Sequence, residues 1–170
     1  MVIIVMGVSG SGKTTIGRRL AERLDGTFHD GDDFHPPANV NKMASGQPLT
    51  DADRWPWLRA IRSFIDERRP ADPVTVVACS ALKQAYRDAL MGNGDATVLV
   101  YLRGDVDLIQ ERLETRADHF FDADLLASQF EALEPPAPDD AITVDIDAPP
   151  DAIVRTIIRQ LPADRLRKTG

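Results

Sequence analysis

Gly7-Val8-Ser9-Gly10-Ser11-Gly12-Lys13-Thr14 fills every fixed place of the pattern G-x-x-x-x-G-K-[ST]. Glycines at these places allow backbone angles that turn successive N–H groups inward, making a nest for an anion. A helix opening directly behind the nest adds its positive N-terminal end. Lys13 has the length and charge to reach β- and γ-phosphates, and the Thr14 hydroxyl is a natural ligand for Mg²⁺. The run from Gly7 to Thr15 therefore predicts a bound nucleoside triphosphate, ATP, with Mg²⁺ as its metal. The usual carboxylate at the end of the next buried strand is missing, because that strand closes Val76-Val77-Ala78-Cys79-Ser80. Asp30, at the end of a shorter strand, is the substitute expected to hold Mg²⁺ through water.

These groups need elements to carry them. Val2 to Met6 is a continuous apolar run, the mark of a strand covered on both faces of a parallel sheet. A helix is predicted over 13–24, with Ile16, Leu20 and Leu24 on one stripe. A short strand over 27–30 leads into a polar, turn-rich stretch over 31–48 that holds a short helix over 38–44. A longer helix runs to about 69, with Leu58, Ile61 and Ile65 on one face; Pro56 must sit in its first turns or kink it. Strands follow over 74–78 and 98–102, then helices over 106–116, capped by Asp105, and over 124–133. A proline-rich loop precedes an alternating strand over 142–146 that suits a sheet edge. A last helix covers 150–161, before a polar tail. The alternation of strand and helix predicts an α/β fold in a single domain, 1–170, with helices on both sides of a parallel sheet.

Charge narrows the partners. Among 170 residues, 27 acidic side chains outnumber 20 basic ones for a net charge of −7, which opposes binding to bulk nucleic acid. An apolar share of 43% and a charged share of 28% describe an ordinary globular chain. Cys79 is the single cysteine, so no internal disulfide can form, which suits a reducing compartment. No apolar run approaches the ~20 residues that span a bilayer, and Met1 to Met6 lacks the basic start of a signal peptide. The expectation is a cytoplasmic protein with no membrane partner.

Beyond the cradle the motifs become specific. Asp30-Gly31-Asp32, His35-Pro36, Asn39, Lys42-Met43-Ala44-Ser45-Gly46 and Pro48-Leu49 follow one another. Asp51, Asp53-Arg54, Pro56-Trp57-Leu58, Cys79-Ser80-Ala81-Leu82-Lys83 and Tyr86-Arg87 come next, then Arg116, His119-Phe120-Phe121 and Gln129-Phe130-Glu131. Over nearly the whole chain this resembles the gluconokinases, relatives of shikimate kinase and the nucleoside monophosphate kinases. The resemblance implies a three-layer α/β/α core with five parallel strands in the order 2-3-1-4-5. It also implies a substrate-binding segment over about 31–70 and a small lid over about 116–124. The implied reaction is ATP-dependent phosphorylation of the 6-hydroxyl of D-gluconate, in a protein that is often a homodimer.

That chemistry gives individual residues roles. A kinase holds a hydroxyl in line with the γ-phosphate and neutralises the charge that spreads over it. Asp32 is the expected group that orients the hydroxyl or takes its proton. The substrate carboxylate needs a cation, and Arg54, with its planar fork, is favoured. Lys83 and Arg87, four apart, are expected to share one helix face near the mouth of the sheet. His35 is expected among the sugar hydroxyls, and His119 at the tip of the lid. Arg112 is expected to stack on the adenine and Arg116 to reach the phosphates. Two departures stand out from the family pattern: Asp118 stands where lids of the family often have glycine before the histidine, and Pro37 and Ala38 where relatives can carry basic residues. Cys79, Trp55 and Trp57 read as packing residues.

Two other readings stay open from sequence. One is a shikimate or nucleoside monophosphate kinase with the same core, although Cys79 to Lys83 is not the glycine-rich turn that shikimate calls for. The other is a nucleotide-binding regulatory module without catalysis, against which Asp32, Arg54, Lys83 and Arg116 argue.

Overall fold

The chain is described by a computed structural model over residues 1–68, 72–92, 97–115 and 123–163. The fold grows from β1, Val2–Met6, whose five residues are all buried. Its side chains alternate between two cores: Ile3 and Val5 point to one face of the sheet, and Val2, Ile4 and Met6 to the other. A strand apolar on both faces can only sit in the middle of a sheet covered on both sides.

The remaining strands are β2, Thr27–Asp30, β3, Thr75–Ala78, β4, Thr97–Arg103, and β5, Ile142–Asp145. They form one sheet in the order β2-β3-β1-β4-β5, and every pairing is parallel. The expected order is observed. β5 is an edge, as its alternating pattern predicts.

The helices are α1, Lys13–Arg23, α2, Pro37–Ala44, α3, Asp51–Asp66, α4, Gln84–Met91, α5, Val106–Glu114, α6, Ala123–Ala132, and α7, Pro150–Gln160. Ile16 and Leu20 of α1, Ile109 of α5, Leu126 of α6 and Ile153 of α7 fill the core on one face. Trp57, Leu58 and Ile61 of α3 with Tyr86 and Leu90 of α4 fill the core on the other. Helix ends fall within a few residues of the expected ones. α3 ends at Asp66 and runs through Pro56, whose missing N–H removes one helix bond. α5 ends at Glu114, short of Arg116, which lies outside the described residues with most of the expected lid segment.

Two local devices set the acceptor side. Thr50 caps α3 by accepting from the Asp53 amide at 3.2 Å, while the Asp53 carboxylate accepts from the Thr50 amide at 2.8 Å. Such a reciprocal cap holds a helix start by about 1 kcal/mol. A 3-10 turn, Gly31–Phe34, follows β2 directly. Among the described residues no helix is long and apolar enough to cross a membrane.

Candidate active site

β1 ends at Met6 and the chain turns at once into Gly7, Gly10 and Gly12, with φ of 151°, 81° and 96°. Gly12 is the N-cap of α1 in left-handed geometry, a conformation that costs a side-chain-bearing residue about 1–2 kcal/mol. Ser11 N–H donates to the Val8 carbonyl at 3.2 Å and closes the loop. Lys13 Nζ donates to the same Val8 oxygen at 3.1 Å. Ser9 N–H donates to Gln129 Oε1 of α6 at 2.6 Å. The Ser11 hydroxyl is buried with no hydrogen-bond partner among the described residues, and a buried orphan hydroxyl calls for an acceptor. Thr14 and Thr15 are exposed on the first turn of α1. Glycine-built backbone, an orphan donor, a lysine and an exposed threonine together fit a nucleoside triphosphate and its metal.

A cavity of about 270 Å³ opens beside the cradle, lined by Gly10, Gly12, Thr15, Arg112, Ala148 and Pro150. It offers apolar walls for a flat base. Arg112 lies in this wall, with its guanidinium donating to the Ile146 carbonyl. A larger cavity, of about 330 Å³, lies near Tyr101, Arg103 and the prolines after α6. Its one described cation, Arg103, is already paired with Asp145 at 2.6 Å. The smaller cavity is the one that adjoins the glycine cradle.

On the acceptor side, Asp30 pairs in register with Ala78 at the C-terminal end of the sheet. Its Oδ1 accepts from the Asp32 amide at 3.1 Å. Gly31 between them has no room for a Cβ, which would lie 2.4 Å from the Ala78 carbonyl oxygen. Trp57 Nε1 donates to the Gly31 carbonyl at 2.6 Å. The turn is thus pressed onto β3 from below and held by α3 from the side. Asp32 is left projecting, its side chain 82% exposed. Partial loss of water around it, then the neighbouring Asp30 charge, push its pKa up, while His35 and Lys13 pull it down. Lys13 from the cradle therefore lies within electrostatic reach of Asp32.

His35, expected among sugar hydroxyls, packs inward beside Asp32. Its side chain is 4% exposed, and its ring stacks on Trp57 at 4.3 Å. Asn39 Nδ2 donates to the Asp53 carbonyl at 2.8 Å, which fixes the orientation of that amide. The same Nδ2 lies 3.2 Å from His35 Nδ1, so Nδ1 accepts and the ring proton sits on Nε2. Nε2 lies 3.8 Å from Asp32 Oδ1. Burial, outweighing the attraction of Asp32, lowers the His35 pKa and keeps the ring neutral.

Arg54 and Lys83 both stand by the ring of Tyr86, at 5.9 and 5.6 Å from its centre. Lys83 is gripped by both oxygens of Asp51 at 2.9 Å, and the Tyr86 hydroxyl donates to the same carboxylate. Arg54 has no ion pair among the described residues, so its guanidinium is open to an anionic ligand. Arg87 corrects the expectation that it shares a face with Lys83. Lys83 is the N-cap of α4 and not a helical residue. Arg87 is 2% exposed and donates to the carbonyls of Ala81 and Leu82 at 3.1 and 2.9 Å and to Gln84 Oε1 at 2.7 Å. Ala81 holds φ of 45°, and Arg87 secures that strained turn from beneath. It is a structural cation.

Three residues on the site were not assigned roles by the sequence. Asp51 holds Lys83; Gln129 holds the cradle; Glu134 accepts from the Gln84 amide at 2.6 Å and donates its own amide to Leu82 at 2.9 Å. The Thr50-to-Asp53 spacing was a readable capping signal. The contacts of Asp51, Gln129 and Glu134 cross the chain and leave no local trace. Arg116 and His119 lie outside the described residues.

A parallel sheet in this order, with a phosphate cradle between its central strand and the first helix, defines a P-loop kinase of the shikimate kinase type. The shikimate kinase family model matches residues 9–161. The chain is 43% identical to the thermoresistant gluconokinase of Escherichia coli strain K12, over 92% of this chain and 91% of that one. It is 44% identical to a gluconokinase of Gluconobacter oxydans strain 621H, over 95% and 92%. The crystal structure of a gluconokinase from Sinorhizobium meliloti 1021 matches with a TM-score of 0.84 and 42% identity, over 93% of this chain and 89% of that one. The chain belongs to the gluconokinase family.

Proposed function

We propose that this protein transfers the γ-phosphate of ATP to the 6-hydroxyl of D-gluconate, giving 6-phospho-D-gluconate. The observation that carries this reading is near-full-length identity above 40% to the E. coli and G. oxydans gluconokinases. The geometry supports it with an exposed Asp32 within electrostatic reach of Lys13 and an Arg54 that has no ion pair among the described residues.

Lys13, released from Val8, neutralises phosphate charge, and Asp32 orients the acceptor hydroxyl. Arg54 grips the substrate carboxylate, with Lys83 beside it. Thr14 and Asp30 are the residues that would hold Mg²⁺, which supplies charge neutralisation when bound. Asp30 has one oxygen on the Asp32 amide and so the other for a metal-bound water. Arg112 lies against the base, and Arg116 and His119 close the site from the lid. The reading includes a homodimer and an acceptor segment over about 31–70, from family resemblance, and a single domain acting in the cytoplasm, from chain length and the lone Cys79.

The test is ADP release with Mg²⁺-ATP and a panel of D-gluconate, other sugar acids, shikimate and nucleoside monophosphates, with product mass checked. Shikimate is included because of the family model that matches. Gluconate-dependent ADP release, lost in Lys13→Ala, is expected. Turnover with shikimate alone would discard the gluconate reading and keep the kinase.

A further inference from the structure

Asp32 and His35 are joined through the backbone before their side chains meet. The His35 amide donates to the Asp32 carbonyl at 3.2 Å and closes the 3-10 turn Gly31–Phe34. Residues three apart in such a turn eclipse one another, so the imidazole is brought alongside the carboxylate, with Nε2 3.8 Å from Asp32 Oδ1. The ring has little freedom to turn away. Its side chain is 4% exposed, and it lies almost flat on Trp57, with 13° between the planes. Trp57 is itself tied to the Gly31 carbonyl of the same turn at 2.6 Å. Asn39, buried beside them, donates one amide hydrogen to the Asp53 carbonyl and aims the other at His35 Nδ1. A neutral ring whose Nδ1 accepts carries its proton on Nε2. The buried half of the pair is thus rigid and preset as a donor. The exposed half, Asp32, is the one free to swing.

We propose that His35 is a positioning residue for Asp32. Its Nε2–H steers the carboxylate by closing the 3.8 Å gap to a hydrogen bond, and Asn39 keeps the proton on the nitrogen that does so. One Asp32 oxygen is then held by the ring, and the other is left for the acceptor hydroxyl. A side chain as exposed as Asp32 has several rotamers open to it, and productive transfer needs one of them. His35 touches neither the acceptor nor the phosphates; it acts through Asp32. This role rests on the reading of Asp32 as the group that orients the hydroxyl.

The experiment is steady-state kinetics with ATP and D-gluconate on wild type, His35→Phe, His35→Ala and His35→Gln, each alone and combined with Asp32→Ala, with Tm as the check on folding. His35→Phe keeps a ring on Trp57 without the donor, and His35→Gln keeps a side-chain N–H without the ring. kcat should follow the donor. It should fall about tenfold in His35→Phe and His35→Ala and stay within about threefold of wild type in His35→Gln, with both KM values little changed. In the Asp32→Ala background the same changes should cost less than about twofold, because the carboxylate they act through is gone. Losses of about tenfold there as well would overturn the proposal and make His35 a residue that acts apart from Asp32. A raised gluconate KM at unchanged kcat would overturn it too, and put the ring on the acceptor hydroxyls. Losses that follow Tm in all three variants, whether ring or donor is kept, would replace it with a purely structural role. Wild-type turnover that survives Asp32→Ala would remove this role and leave the kinase reading standing. A wild type without gluconate-dependent turnover would bring down the proposed function and this role together.

Discussion

His35 presents its protonated Nε2 towards Asp32 at 3.8 Å, with its other nitrogen already taken by Asn39. The pair sits between two opposed trends: burial lowers the histidine pKa, and partial loss of water raises that of the aspartate. Both shifts disfavour charge at neutral pH on the acceptor side of the site.

The histidine makes stability depend on pH. A folded pKa below the ordinary 6.5 means that the unfolded chain binds the proton first as pH falls. The contribution is therefore complete above pH 6.5 and is lost as pH falls through the lower folded value. Thermal melts from pH 8 to pH 5 should show Tm dropping in this window, with a shallower drop in His35→Gln. Parallel slopes in the two proteins would exclude this assignment.

Asp32 should trade stability for activity. Its raised pKa gives a contribution present below the ordinary 3.8 and lost as pH rises through the folded value, so at pH 7 the ionised carboxylate is a small liability, screened by water. Asp32→Asn should raise Tm slightly at pH 7. It should lower kcat by about 10²–10⁴-fold with ATP affinity retained. Unchanged turnover would remove Asp32 from the reaction.

Arg87 and Arg54 should separate cleanly. Arg87→Ala strands the Ala81 and Leu82 carbonyls and should cost about 3 kcal/mol of stability, read by denaturant unfolding, with the acceptor KM little changed below the melting range. Arg54→Lys loses a two-pronged grip and should raise the acceptor KM about tenfold at unchanged Tm. The reverse pattern would exchange their roles.

Gly10 is held by its backbone and its surroundings. Its φ is +81°, and a Cβ would lie 2.8 Å from Leu113 of α5. Gly10→Ala should cost about 2 kcal/mol and weaken ATP binding, measured by melting and by calorimetry. A fully stable variant with normal ATP affinity would show that the loop can move away from α5.

Much of this was legible in the sequence because it is local. β1 declares itself by five apolar residues, the cradle by its glycines, and α3 by Leu58, Ile61 and Ile65. The turn at Gly31–Phe34 did not, because its shape is imposed by Trp57 and the end of β3. Arg87 misled for a related reason. A spacing of four reads as a shared helix face, but Lys83 precedes the helix and the strained turn at Ala81 draws Arg87 inward. The Cys79 thiol, buried and with its pKa raised to about 12, was read correctly as packing.

α6 and the residues just after it touch both halves of the site, Gln129 at the cradle and Glu134 at the turn that leads to Lys83. One short stretch of chain, from Gln129 to Glu134, thus ties the start of the phosphate cradle to the start of α4, so that a shift in either is felt by the other.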